Sequence, residues 1–323
     1  MLNVRVWSVL AAVSVSAVCA ARAQTVKVQE DFAADPAASG WGMYGNTNLF
    51  QWDSANHNLA VTWDSSQTNS YFYHPLGVML GVDDDFRVSF DLQLQSVAGE
   101  GFELSVGLLN LADATGPGFL RGTGDDSPNL VEFDYFPDPT GVWGGGSITT
   151  MLIDSVGAST PHWSVGGYGP GDLALNDVYR VEMVYDGNTH RQQTTITNLT
   201  SGGIVGPLPE SFLPATFVGF HVDHFAVASY IDHPGWGGSI LANGTLDNVR
   251  VTVTPRLHGG FAARGVWEAR FLSHTNWHYT LERTTNFHDW AAVSDTRPGN
   301  ESDLTLQDTN APVARAFYRV RAE

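Results

Sequence analysis

The segment "FRVSFDLQL", residues 86–94, alternates apolar and polar side chains without a break. Successive side chains of a β-strand point to opposite faces, so every second residue of this segment lies on the same side. The apolar side consists of Phe86, Val88, Phe90, Leu92 and Leu94. The pattern predicts a strand that places one face in a hydrophobic core and the other toward solvent.

Short runs of the same kind recur along the chain, separated by Gly, Asn, Asp and Pro, and helical periodicity is nearly absent. In "VYDGNTHRQ", the residues Asp186-Gly187-Asn188 stand between two such runs and favour a turn. Regularly spaced short strands with turn residues between them are typical of antiparallel sandwiches. The sequence therefore predicts an all-β fold.

Four segments are predicted from composition. Residues 1–23 are typical of a signal peptide, with Arg5 before an apolar run and "ARA" before Gln24. Residues 24–255 form the main β domain, residues 256–265 ("RLHGGFAARG") a linker, and residues 266–323 a small β module. The net charge of −18 lies entirely before residue 256, because the remainder is charge-balanced.

These totals limit the classes of function. The only cysteine, Cys19, lies in the predicted signal, so the exported chain is expected to lack disulfides and cysteine chemistry. An acidic surface repels phosphate backbones, which argues against nucleic acid as a partner. No apolar run reaches the ~20 residues of a membrane span. We expect a protein that is secreted, extracellular or at the cell surface.

The segment "VEFDYFPD", residues 131–138, is the main candidate for chemistry. On a strand, Glu132, Asp134 and Asp138 share one face with Phe136, and we expect this face to line a shallow trough open to water. Glycoside hydrolysis would need two carboxyls ~5–5.5 Å apart across the scissile bond. Glu132 and Asp134 are the candidates, but the sequence indicates no acid partner opposite them, and Asp138 is about 20 Å along an extended strand.

The same segment resembles the "V-E-F-D-T-F-x-N" strand of legume lectins, in the concanavalin A-like superfamily. Other segments resemble that family in the same order, over about residues 60–252. They are "DDFRVSFDLQL…GFELSVGLL", "MLIDSVGAS", "VEMVYDGNTHRQQTTIT" and "FVGFHVD". The resemblance implies a concanavalin A-like jelly-roll sandwich. The C-terminal segment, most clearly "DTNAP…FYRVR", resembles a small, fibronectin-like β module of secreted bacterial proteins.

The resemblance also implies metal ligands. In the family the glutamate and the first aspartate bind a transition metal, and the aspartate binds Ca²⁺ together with a carbonyl and an Asn. Carried over, these are Glu132, Asp134, the Phe136 carbonyl and Asp138. Trp143 and Thr150 stand where the family has an Asp and a His, so we expect one Ca²⁺ at most. The alternative is a polar face satisfied by neighbouring side chains and water.

Two further groups are candidates for binding. Trp143, Trp163, Tyr168 and Trp236 lie in glycine-rich loops, where an aromatic face could stack on a sugar ring or could anchor its own loop. His221 and Asp223 have the spacing of a metal pair on one strand face, although nothing fixes the remaining ligands.

The sequence as a whole indicates a non-catalytic, lectin-like protein that binds a polysaccharide or other glycan. A hydrolase or lyase on the same fold, with a second carboxylate or a His/Tyr pair facing Glu132, is the first alternative. A structural or adhesion module is the second.

Overall fold

The computed structural model describes residues 25–99, 103–121, 126–141, 144–157, 163–165, 169–205, 208–231, 239–254, 258–263, 265–273, 277–300, 303–312 and 315–323. Within these ranges no helix is long and apolar enough to cross a membrane. Helices are short: two 3₁₀ turns, Pro36–Ser39 and Thr47–Leu49, and one α-helix, α1, Leu111–Ala114.

The described residues before position 255 include sixteen strands. They are β1 (Thr25–Glu30), β2 (Gly42–Tyr44), β3 (Phe50–Asp53), β4 (Asn58–Asp64), β5 (Ser70–Leu80), β6 (Asp85–Ala98), β7 (Leu104–Leu109), β8 (Leu130–Phe136), β9 (Ser147–Ile153), β10 (Trp163–Val165), β11 (Gly169–Pro170), β12 (Val178–Asp186), β13 (Arg191–Asn198), β14 (Ser211–Phe212), β15 (Val222–Ser229) and β16 (Leu241–Thr254).

These strands form two eight-stranded antiparallel sheets. The first has the order β14-β13-β12-β6-β16-β4-β3, with β1 also paired to β16. The second, which we call the site sheet, has the order β10-β9-β8-β7-β15-β5-β2, with β11 also paired to β9. Strands distant in sequence are neighbours in both sheets, so the fold depends on long-range pairing.

One hydrophobic core lies between the two sheets. The apolar side of β6 is buried as predicted, with Val88 and Phe90 fully inaccessible to solvent. Phe90 contacts Phe133 of the site sheet edge to face, with ring centroids 5.8 Å apart. Asp91 lies on the polar side of β6, which the pattern places toward solvent, but its side chain is buried. Arg180 compensates its charge by pairing with both carboxylate oxygens at 2.7 Å.

The predicted turn at Asp186-Gly187-Asn188 is confirmed. Strands β12 and β13 form an antiparallel hairpin in which Asp186 pairs with Arg191. The Asp186 carboxylate accepts a hydrogen bond from the Asn188 backbone N–H at 2.7 Å, which stabilises the turn.

The described residues from 258 onward contain seven strands, which form a three-stranded and a four-stranded sheet around a second hydrophobic cluster. They are β17 (His258–Ala263), β18 (Val266–Leu272), β19 (His278–Thr284), β20 (Ala291–Ala292), β21 (Arg297–Pro298), β22 (Asp303–Asp308) and β23 (Phe317–Ala322). The predicted fold class, an all-β jelly-roll sandwich followed by a smaller β unit, is confirmed.

The structure differs from the predicted linker, 256–265, because β17 lies inside it and pairs with β18. Two adjacent glycines in this segment favour a linker in sequence, but Gly259 has a packing role. A Cβ atom at Gly259 would lie 2.5 Å from Cζ2 of Trp267, so only glycine lets the strand pass the indole. Trp267 is in turn stacked on Tyr318 at a centroid distance of 3.8 Å.

We predict that Gly259→Ala lowers the free energy of unfolding of the small unit by about 1–3 kcal/mol, since the stacked indole cannot move away freely. Gly260→Ala is the matched control, because a Cβ at Gly260 meets nothing within 4 Å. Its effect should stay within about 0.5 kcal/mol. Urea denaturation followed by tryptophan fluorescence measures both, and equal stability of the two variants would contradict the packing role.

Candidate functional site

Strand β8 lies in the middle of the site sheet, between β7 and β9. Its odd-numbered side chains, represented by Phe133, pack into the core between the sheets. Glu132 and Asp134 therefore point to the opposite, outer face, where Gly107 and Ser105 of β7 lie directly beside them in the ladder. The predicted division of faces is confirmed for these residues.

The expectation that this outer face forms a water-filled trough is wrong. Glu132 is 1% exposed and Asp134 is 0% exposed. The reason is the segment between β7 and β8, of which the structure describes residues 110–121 and 126–129. These described residues, here called the covering loop, lie over the outer face. The loop is held there in part by Tyr71 of β5, whose hydroxyl donates to the Ala114 carbonyl at 3.1 Å.

Arg121 of the covering loop is the centre of a buried ionic cluster, and its side chain is 2% exposed. Its guanidinium contacts carboxylate oxygens of Glu103 at 3.2 Å, Asp126 at 3.1 Å, Glu132 at 3.1 Å and Asp134 at 2.7 Å. The contact with Glu103 is an ion pair without the alignment of a hydrogen bond, whereas the other three are hydrogen bonds. One cation thus serves four carboxyl groups.

Neighbouring hydroxyls bind the remaining oxygens of the two β8 carboxylates. Ser105 donates to Oδ1 of Asp134 at 2.8 Å. The hydroxyl of Tyr230, just beyond β15, donates a short hydrogen bond to Oε1 of Glu132. All four carboxylate oxygens of Glu132 and Asp134 are therefore hydrogen-bonded within the protein, as expected for buried polar groups.

Burial dominates the electrostatics of the cluster. It raises the pKa of Glu132 to about 7, although Arg121 acts in the opposite direction. Burial likewise raises the pKa of Asp134 and, to a greater extent, that of Glu103. For Arg121, burial lowers the pKa, but the surrounding carboxylates more than offset this and raise it well above the ordinary value. Burial therefore favours the protonated form of these carboxyl groups, whereas the guanidinium stays charged.

The residues predicted to bind Ca²⁺ do not fit such an ion. The guanidinium of Arg121 contacts both Glu132 and Asp134, so a divalent cation between them would face a fixed positive charge. Asp138 is engaged elsewhere, since its Oδ2 accepts a hydrogen bond from the Gly145 N–H at 2.9 Å. The contacts agree instead with the alternative of a polar face satisfied by neighbouring side chains.

The same contacts bear on catalysis. Tyr230 faces Glu132 and is one half of the His/Tyr pair that the hydrolase or lyase alternative requires. However, Tyr230 and Glu132 are each 1% exposed, and the phenol pKa is raised well above its ordinary value, chiefly by burial. A polysaccharide cannot reach this pair while the covering loop is in place. The arrangement is that of a structural network.

The other predicted site residues have separate locations. Trp143, Tyr168 and Trp236 fall outside the described residues, and Trp163 is described only as backbone in β10. Asp223 accepts hydrogen bonds from the Leu111 N–H at 3.0 Å and from His224 Nδ1 at 2.7 Å. Through the ranges that the structure covers, no group of three His, Cys, Asp or Glu is placed to hold a metal ion.

An open pocket of about 520 Å³ lies at the end of the site sheet, beside the buried cluster. One wall comes from the covering loop and consists of Ala114, Gly116, Gly118 and Phe119. The rest of the lining comes from the end of β2 and the residue after it, the segment before β5 and the segment after β15, and consists of Tyr44, Gly45, Thr68, Asn69 and Ile231. None of these lining residues carries a charge.

Asn69 joins the two walls of the pocket. Its amide N–H donates to the Phe119 carbonyl at 3.2 Å, and its amide oxygen accepts from the Ile231 N–H at 2.8 Å. Tyr44 is 42% exposed, and its ring stacks on Tyr71 with centroids 5.8 Å apart. The pocket thus combines an accessible aromatic ring with hydroxyl, amide and backbone groups.

Sequence reasoning missed both Arg121 and the pocket. Arg121 lies in "LRGTGDDSPN", where glycines and charges indicate a loop but not what the loop covers. Carboxylates on a strand in the middle of a sheet need a counter-charge if they are buried. Because this sequence has few basic residues, each arginine near the strand is a candidate for that partner. The pocket had no comparable signal, because its walls come from four separate parts of the chain.

No family model matches the chain, and no curated protein matches it in sequence. Several solved structures are similar in fold. Peanut lectin in complex with a nine-residue peptide has a TM-score of 0.41 and 12% identity, over 70% of this chain and 98% of the lectin. The carbohydrate recognition domain of Emp47p has a TM-score of 0.39 and 8% identity, over 68% and 94%.

A third similar structure is a carbohydrate esterase from the Shiga toxin-encoding bacteriophage phi24B. It has a TM-score of 0.37 and 10% identity, over 72% of this chain and 99% of the esterase. The similar structures thus include lectins of the kind that the sequence resemblance indicated and also an enzyme. At TM-scores below 0.5, the likeness decides neither the family nor the ligand of this protein.

We predict that the protein loses stability as the pH rises from about 4.5 to above 7. Glu132 has a pKa of about 7 in the folded chain against 4.5 as the ordinary value, so between these values the folded state holds a proton that the unfolded state releases. The stabilisation is complete below 4.5 and is lost as the pH passes 7, on the order of 3 kcal/mol for this group. Urea denaturation between pH 4.5 and 8.5 measures the loss.

Glu132→Gln is the control for this prediction. Its amide can accept from Arg121 and donate to Tyr230, but it does not titrate. The variant should therefore show a flatter dependence of unfolding free energy on pH than the parent protein, with a residual slope from Glu103 and Asp134. A parent protein that gains stability between pH 5 and 8 would contradict the protonation of the cluster.

Proposed function

We propose that this protein binds a neutral carbohydrate in the pocket beside Tyr44 and does not cleave it. The observation that carries the proposal is the lining of the pocket. An exposed aromatic ring, an amide, a hydroxyl and glycine backbone are present together, and none of the lining residues that the structure describes is charged. Aromatic faces pack on the C–H faces of sugar rings, while amide and hydroxyl groups bind sugar hydroxyls.

The size and charge of the surroundings support the same ligand class. A pocket of about 520 Å³ is within the range of small-molecule sites. The whole chain carries a net charge of −18, which disfavours acidic sugars and phosphorylated ligands. A neutral glycan, such as a hexose-containing oligosaccharide, satisfies both conditions.

The buried state of Glu132 and Asp134 supports binding without cleavage. A glycosidase needs two carboxyl groups that reach the scissile bond. Here both strand carboxyls are bonded to Arg121 beneath the covering loop. We further propose that the protein acts outside the cell or at its surface, on the basis of the signal-like segment 1–23.

A glycan array followed by calorimetric titration of the best ligand tests the proposal. Tyr44→Ala should weaken binding by about 10-fold or more, because it removes the aromatic platform. Tyr44→Phe, which keeps the ring, should stay within about threefold of the parent protein. Phe261→Ala is the control, since this side chain is 64% exposed but lies in the small unit.

Two results would overturn the proposal. One is the absence of any bound glycan on an array that includes neutral oligosaccharides. The other is the release of shortened products when the ligand is incubated with the protein, which would favour the hydrolase or lyase. Loss of that release in Glu132→Gln would then identify Glu132 as a group in the reaction.

A further inference from the structure

The four carboxyl groups around Arg121 come from separate parts of the fold. Glu103 directly precedes β7, Glu132 and Asp134 belong to β8, and Asp126 lies in the covering loop. Strands β7 and β8 are adjacent, so their carboxyl groups lie close together beneath the covering loop. A buried set of like charges is costly unless a cation accompanies it.

Arg121 meets this requirement with the geometry of its side chain. A guanidinium offers five N–H donors in a planar fork and does not lose its charge in proteins. Nε donates a hydrogen bond to Glu132, one terminal nitrogen donates to Asp126, and the other donates to Asp134. Distinct donors thus reach distinct carboxylates, as a metal ion would with its coordination positions.

The position of Arg121 in the chain connects this cluster to the pocket. Phe119, two residues earlier, forms part of the pocket wall and stacks on Tyr230 at a centroid distance of 6.3 Å. Tyr230 is bonded to Glu132 and lies 5.8 Å below the guanidinium carbon of Arg121. The contacts that hold Arg121 and Tyr230 in place therefore also position Phe119.

We propose that Arg121 is the resident cation of this site and replaces the divalent metal ion that the family resemblance implies at Glu132 and Asp134 of β8. In this role it also positions the covering loop as one wall of the pocket. Arg121 is a positioning residue and does not contact the ligand. The link to the pocket rests on the proposed function, but the replacement of the metal does not. Folding and ligand binding are consequently independent of added divalent cations.

Calorimetric melting of the full chain with and without Ca²⁺ tests the replacement. The parent protein should melt at the same temperature in 5 mM CaCl₂ and in 5 mM EDTA. Arg121→Ala should lower the melting temperature by roughly 6–20 °C, since it leaves buried carboxylates uncompensated. Ca²⁺ should then restore part of the loss, because four carboxyl groups surround the vacated space.

Arg180→Ala is the matched control. Arg180 also makes a two-pronged pair with a carboxylate, that of Asp91, but the Arg180 side chain is 46% exposed. Although Asp91 is buried, it keeps a hydrogen bond from Asn248 Nδ2 at 2.9 Å when Arg180 is removed. Removal of Arg180 should shift the melting temperature by no more than about 4 °C, with no response to Ca²⁺. Equal destabilisation of the two variants, or a loss in Arg121→Ala that Ca²⁺ does not relieve, would overturn the proposal.

The parent protein provides a test that does not depend on whether Arg121→Ala folds. Terbium luminescence and Ca²⁺ calorimetry of the parent protein should detect no bound ion whose binding is lost in Glu132→Gln. Detection of such an ion would overturn the proposal that Arg121 replaces the metal. Glycan binding in EDTA separates the two proposals. Glycan binding that EDTA removes would overturn the role of Arg121 and leave the proposed function intact. If no glycan binds but the melting temperatures behave as expected, the proposed function is overturned and the replacement of the metal by Arg121 stands.

Discussion

The outer face of the site sheet depends on one arginine side chain that compensates several buried carboxyl groups. Without Arg121, Glu132 and Asp134 would be buried ionisable groups on a central strand with no counter-charge among the residues that the structure describes, an arrangement that folding disfavours strongly. With it, the covering loop can close over the sheet. The ionic contact is therefore a condition for the shape of this face and for the pocket beside it.

The cluster also decides whether the carboxylates of β8 are free to bind a metal or react, or are hydrogen-bonded within the protein. A carboxylate strand that opens to solvent can hold a metal or attack a substrate, because its oxygens are free to do so. Here the oxygens of Glu132 and Asp134 are committed to Arg121, Ser105 and Tyr230. What stays open is a neighbouring pocket with uncharged walls. The physical division is between a sealed, charged interior and an accessible, neutral surface.

Burial of so many carboxyl groups around one guanidinium affects the protonation of those groups. Four carboxyl groups and one guanidinium would carry a net negative charge if all were ionised, and burial makes that state unfavourable. The raised pKa values of Glu103, Glu132 and Asp134 are the response, because protons supply the remaining compensation. The fold thus couples its stability to pH through a cluster that solvent does not reach.

The sequence by itself determined the sandwich. Alternation in β6, the turn at Asp186-Gly187-Asn188 and the two faces of β8 all follow from the two-residue period of a strand, which is a local property. The tertiary structure alone decided that the polar face of β8 is buried, that Arg121 is its partner and that Tyr44 and Phe119 share a pocket. Local periodicity assigns side chains to a face, but only the path of the loop that covers the sheet determines whether that face meets water or protein.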